Sequence, residues 1–138
     1  MTTSLDHSPA VGDRLVHKTY APITRHTLAL YCGASGDHNP MHVDIDFAKR
    51  AGFPDVFAHG MLVMAYLGQA LTDAVAPGAI RAFSTRFSAI TQLGARLTCE
   101  GAVAELFDHQ SEKHARLALA VKDEHGETKL AGEAVIAL

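Results

Sequence analysis

The sequence predicts an α+β domain in which an antiparallel sheet wraps one long central helix. Three observations carry this. The run from Gly60 to Ala76 is apolar on nearly every face, as in a helix surrounded by protein, and Pro77 and Gly78 stop it. Directly afterwards the pattern changes to period two, with Phe83, Thr85, Phe87 and Ala89 alternating with Ser84, Arg86 and Ser88. Three more strand candidates follow at roughly 95–107, 114–123 and 128–138, separated by the polar clusters DHQSEK and DEHGE.

The elements before the helix can be placed in order. The N-terminal stretch MTTSLDHSPAVGD has no cationic region followed by an apolar one, so it does not read as a signal peptide. Residues 1–12 are expected to be a flexible tail, with a single domain over 13–138. A first strand is expected from Asp13 to Tyr20, DRLVHKTY. Thr24 can cap a helix over 24–35 whose apolar positions Leu28, Tyr31 and Cys32 fall at i, i+3 and i+4, before Gly33 and Gly36 loosen the chain. That helix delivers the loop GDHNP. Pro40 restricts Asn39 to extended conformations, which stiffens the loop. A short helix in DIDFAKRAGFP follows, with acidic residues in its first turn and Gly52 and Pro54 ending it. Strand, helices, then four strands joined as a meander is the outline of a hot-dog fold. Its sheet has open edges, and pairing with a second copy would cover one, so a dimer is expected.

Composition narrows the function classes. With 138 residues, 48% of them hydrophobic, the chain holds one core of ordinary size. A formal charge of −3 offers no basic excess for a phosphate backbone, which argues against nucleic acid as a partner. Cys32 and Cys99 form no CxxC or Cys/His cluster, so neither a structural metal nor a disulfide framework is expected, and a reduced, cytoplasmic setting fits. The most apolar segment, AHGMLVMAYLGQAL, is shorter than the ~20 residues of a membrane span and carries His59 and Gln69.

The loop from Asp37 to His42 holds an Asp, an Asn, a Pro and a His directly after Gly36. Two readings of that spacing stand. Asp37 and Asn39 could bond their own backbone in an Asx-type turn. Alternatively, a carboxylate and an imidazole five residues apart on a stiff loop face one site and share a water molecule there.

The stretch SGDHNPMHVDIDFA, Ser35 to Ala48, resembles the signature of the MaoC-like dehydratases and R-specific enoyl-CoA hydratases: Ser-Gly-Asp-x-Asn-Pro-x-His and, after five residues, a small residue, here Ala48. A second stretch similar to the family's, Ala-His-Gly-Met at Ala58–Met61, opens the central helix. The resemblance implies reversible syn hydration of a trans-2-enoyl thioester to the (R)-3-hydroxyacyl thioester, with Asp37 and His42 as the catalytic pair. It implies no cofactor and no metal, only a thioester carried on CoA or acyl carrier protein. The enolate that develops on the thioester oxygen needs a donor, and the helix start offers unpaired N–H groups, so the Gly60 backbone is the expected oxyanion donor. Asn39, Pro40 and His59 are expected to support the loop. Arg81, Arg86 and Arg96 could meet the phosphates of CoA but read better as solvated charges on strand faces. Some hydratases of this group have a serine where this chain has Gly68, which leaves no role for a hydroxyl there.

Other assignments can be weighed on single residues. The chain also resembles the catalytic subunit of heteromeric (3R)-hydroxyacyl-ACP dehydratases of fatty-acid synthesis, in which a catalytic and a non-catalytic hot-dog subunit pair. A hot-dog thioesterase commonly needs an acidic residue on the central helix. None lies between Gly60 and Leu71, and Asp73 comes too near the helix end. A non-catalytic acyl-binding subunit would be expected to lack the Asp/His pair, which this chain keeps.

Overall fold

The structure, a computed structural model, describes residues 8–138. Five antiparallel strands form one sheet: β1 (Arg14–Thr19), β2 (Ile80–Phe87), β3 (Thr98–His109), β4 (Glu112–Lys122) and β5 (Thr128–Ala137). Helices α1 (Arg25–Ser35), α2 (Ile45–Arg50) and α3 (Gly60–Ala74) lie between β1 and β2 in the chain. The sheet wraps α3, which is the hot-dog arrangement the sequence predicts. Of the expected tail, residues 1–7 fall outside the described residues. Pro9 is buried, and the Gly12 N–H donates to the Val103 carbonyl at 2.8 Å.

The strand order is β1-β3-β4-β5-β2, which corrects the expected four-strand meander. Only β3, β4 and β5 form one; β2 lies at the far edge, against β5. The chain between β2 and β3 must therefore pass three strand spacings, about 14 Å, which its ten residues span easily. Gly132 permits the β2–β5 contact, because a Cβ there would run into the Ser84 carbonyl.

The β3–β4 turn is tighter than the polar cluster suggested. The strands run on to His109 and from Glu112, leaving only Gln110 and Ser111, at φ 50° and 64°, as a two-residue loop with both φ angles positive. Neither residue carries the Asn-Gly signal that usually marks this turn.

The core joins α3 to the concave sheet face through Leu62, Val63, Leu67, Ala70 and Leu71 on the helix and Leu97, Cys99, Leu117, Val121 and Leu130 from the sheet side. Helix α3 ends at Ala74, two residues before the expected Ala76. Ala76 precedes Pro77 and is held extended, and Val75 already turns into the core. The expectation that protein surrounds α3 holds for one face only. Met61, Ala65, Gln69 and Asp73 form an exposed stripe, with Met61 54% exposed.

Among the described residues, no helix is long and apolar enough to cross a membrane.

Candidate active site

The loop is positioned by the end of α1. The Thr24 hydroxyl caps the helix start by accepting from the Thr27 N–H, and Gly36, at φ 77°, ends the helix with its N–H on the Cys32 carbonyl. Only a residue tolerant of that left-handed conformation lets the chain turn here. The Ser35 hydroxyl donates to the Tyr31 carbonyl at 2.6 Å and accepts the Asp37 N–H at 3.1 Å. Next come two Asx turns, with the Asn39 N–H on Asp37 Oδ1 at 3.2 Å and the Met41 N–H on Asn39 Oδ1 at 3.1 Å. Pro40 opens the short 3-10 turn that ends at His42. The Asx turns therefore form with side-chain atoms of Asp37 and His42 still within 4.8 Å of each other. Asp37 spends one oxygen on the turn; its second has no hydrogen bond among the described residues.

His42 is buried at 8% exposure. Its Nδ1 lies 2.7 Å from the Phe57 carbonyl oxygen. A carbonyl only accepts, so Nδ1 carries the hydrogen and Nε2 presents a lone pair. Phe57 is itself fixed by a bridge to Gln92, and the next residue, Ala58, donates its N–H to the Thr91 carbonyl. The β2–β3 connection therefore holds the carbonyl that orients His42. No sequence pattern marked Phe57 for this role, because the contact joins segments that only the fold brings together.

His59 completes the cluster. It is 1% exposed, stacks on His42 at 3.8 Å between ring centres, and meets the Tyr31 ring edge-on at 4.7 Å. Its Nε2 lies 3.3 Å from the Asp37 carbonyl oxygen and 3.4 Å from Cys32 Sγ, while Nδ1 is buried without a partner among the described residues. Burial, reinforced by the neighbouring His42, pushes the His59 pKa below its ordinary value; the Asp37 backbone and charge oppose this. Burial also pushes the Cys32 thiol up, which keeps it protonated and inert.

Asp37, His42 and His59 each bring one possible ligand atom within 4.8 Å of the others. The two imidazoles lie 27° from parallel.

Helix α3 starts beside this cluster with His59 as its N-cap and no side-chain cap. The Gly60 and Met61 N–H groups have no intrahelical partner and none from the flanking loops among the described residues, and they sit at the positive end of the helix. The site thus holds a carboxylate, an imidazole with a free Nε2 and a pair of free backbone donors. Ala48, the small residue of the motif, is fully buried, where α2 packs into the core. The arginines lie elsewhere: Arg81 is bound to Glu112, and Arg86 and Arg96 are exposed.

A model of the MaoC-like domain matches residues 6–125, most of the chain. The chain belongs to the MaoC-like domain family. Among solved structures, this MaoC-like domain is similar to the unliganded R-hydratase PhaJ1 from Pseudomonas aeruginosa, at TM-score 0.81 and 30% identity over 93% of this chain and 81% of that one. The (R)-hydratase from A. caviae shares the fold at TM-score 0.80 and 24% identity, covering 96% of this chain and 98% of that one. Over 67 residues, 46% of the chain, the domain is 39% identical to the peroxisomal enoyl-CoA hydratase 2 of Arabidopsis thaliana. Over 66 residues, 48% of the chain, it is 42% identical to 3-hydroxyacyl-thioester dehydratase X of Mycobacterium tuberculosis. The matched parts make up only 22% and 23% of those two relatives.

Proposed function

We propose that this MaoC-like domain is a hydro-lyase that adds water reversibly to trans-2-enoyl-CoA, giving (R)-3-hydroxyacyl-CoA. The observation that carries the reading is the His42 Nδ1–H held on the Phe57 carbonyl, which leaves Nε2 as a base on a ring that has a nitrogen within 4.8 Å of an Asp37 carboxylate oxygen. In this reading the reacting water binds between them. Its oxygen bonds to the β-carbon as the π electrons shift toward the thioester, and the enolate oxygen that forms is held by the Gly60 N–H. The proton that leaves the water passes through the Asp37–His42 pair to the α-carbon on the same face, and the pair ends as it began. Nothing in this balance requires a cofactor or metal.

The reading extends to assembly. Strand β2 ends the sheet with one edge unpaired among the described residues, and the exposed Met61 and Ala65 of α3 and Phe87 of β2 are available for burial. A second copy joined at this edge, giving a cytoplasmic homodimer, covers both features.

The test is incubation of purified protein with crotonyl-CoA, following loss of the conjugated thioester absorbance and, in parallel, free thiol. Loss of conjugation without thiol release is expected. Thiol release would favour a thioesterase, and activity only on the acyl carrier protein thioester would favour the dehydratase of fatty-acid synthesis.

A further inference from the structure

Among the described residues Lys129, at 4% exposure, is the only lysine or arginine that the fold buries. A buried ammonium persists only where it is paired and hydrogen-bonded. Here Nζ pairs with Asp123 at 3.4 Å and with Glu127, both in the turn between β4 and β5, and donates to the Ile90 carbonyl at 3.0 Å. The two carboxylates belong to the same hairpin as Lys129. Ile90 does not: it lies in the connection between β2 and β3.

That connection leads to the site. The Ser88 N–H donates to the Lys129 carbonyl at 3.0 Å, so Lys129 holds its first residues through both backbone and side chain. The next two residues face the catalytic side: the Thr91 carbonyl accepts the Ala58 N–H at 2.9 Å, and Gln92 bridges to Phe57. Phe57 in turn presents the carbonyl 2.7 Å from His42 Nδ1. Among the described residues, no other side chain hydrogen-bonds into residues 88–92. The later ties, of Gly94 and Ala95 to Ile23 and of the Arg96 N–H to Glu124, fall beyond the residues that meet Phe57 and Ala58.

Resting on the reading above, we propose that Lys129 is a positioning residue for His42: its ammonium fixes the Ile90 carbonyl, which holds Thr91 and Gln92 against Ala58 and Phe57 and so keeps the Phe57 carbonyl on the His42 Nδ1–H. Without that hold the carbonyl shifts and His42 divides between its two tautomers, only one of which presents Nε2 as the base. Lost orientation of a base slows the chemical step and leaves thioester binding as it was.

Lys129→Met alone would leave the Asp123 carboxylate without its partner, so the test uses the double variant Lys129→Met/Asp123→Asn. An amide oxygen at 123 still accepts the His125 and Glu127 N–H groups, and the turn is expected to form. Wild type, the double variant and Lys129→Arg are compared by nitrogen NMR of isotope-labelled histidine, which reads the His42 tautomer, and by kinetics on crotonyl-CoA. His42 is expected to carry its hydrogen on Nδ1 in wild type and in Lys129→Arg, which keeps a charged donor. In the double variant it is expected to divide between tautomers, with kcat about tenfold lower or more and KM within about twofold. A folded double variant that keeps the Nδ1–H tautomer would overturn the proposal whatever its kcat, and so would a loss carried by KM alone. A wild type that hydrates no enoyl thioester would overturn the hydratase reading instead, and the tautomer would still decide the role of Lys129.

Discussion

Replacing Asp37 by Asn separates catalysis from loop structure. Asp37 Oδ1 accepts the Asn39 N–H at 3.2 Å, and an amide oxygen at the same position accepts it equally. The loop, the Gly36 turn and the 3-10 turn are therefore expected to survive, and the melting temperature should stay with wild type. What the amide cannot do is carry a proton. A positioned acid–base group contributes about 10²–10⁴ in rate, or about 2.7–5.4 kcal/mol of barrier at about 1.36 kcal/mol per tenfold. Asp37→Asn and His42→Ala should each lower turnover of crotonyl-CoA at least about a hundredfold. The double variant should be little worse than the poorer single one, since groups acting as one unit are not additive. Initial rates with circular dichroism melts as the control suffice. A folded Asp37→Asn protein with near wild-type turnover would refute the shared-water mechanism, and the Asx turn alone would then account for the loop.

His59 makes stability depend on pH. Its folded pKa lies below the ordinary 6.5, so below that pH the folded state binds fewer protons than the unfolded one, and stability falls as pH drops from 6.5 through the lower folded value. His59→Gln keeps a donor for the Asp37 carbonyl but does not titrate, so its stability deficit against wild type should narrow as pH falls from about 7.5 to 5, read by urea titration. A constant deficit would mean that His59 is not held neutral. The assembly prediction is read by light scattering: a homodimer at micromolar concentration is expected. A monomer would leave the β2 edge and the Met61–Ala65 stripe uncovered, and insolubility alone would point to a different hot-dog chain as partner.

The sequence made local features legible and hid pairings across the fold. Thr24, Gly36 and Pro40 each act within a few residues, so the cap, the helix end and the stiff loop follow from their chemistry. The start of α3 at Gly60 was readable for the same reason, and its end only to within two residues. The place of β2 was not. Period-two alternation identifies a strand but says nothing of which strand it joins, and β2 passes its sequence neighbour β3 to pair with β5. The exposed stripe on α3 was misread because an apolar helix shows the same composition whether its second face meets its own chain or another. In the site, the Asp37–His42 spacing carried signal, while the Phe57 carbonyl, the His42–His59 stack and the Phe87 ring on Gly60 depend on contacts across 15, 17 and 27 positions. The turn and the site do not exclude one another, because Asp37 spends one oxygen on the turn and its second has no hydrogen bond among the described residues.

The central claim is that one water is added across one face of the double bond by the Asp37–His42 pair. Hydration of crotonyl-CoA in D2O, followed by NMR of the 3-hydroxybutyryl product, tests it directly. The account predicts a single diastereomer, (R) at the hydroxyl carbon, with deuterium and hydroxyl delivered to the same face. Anti addition, an (S) product or scrambled deuterium at the α-carbon would contradict it.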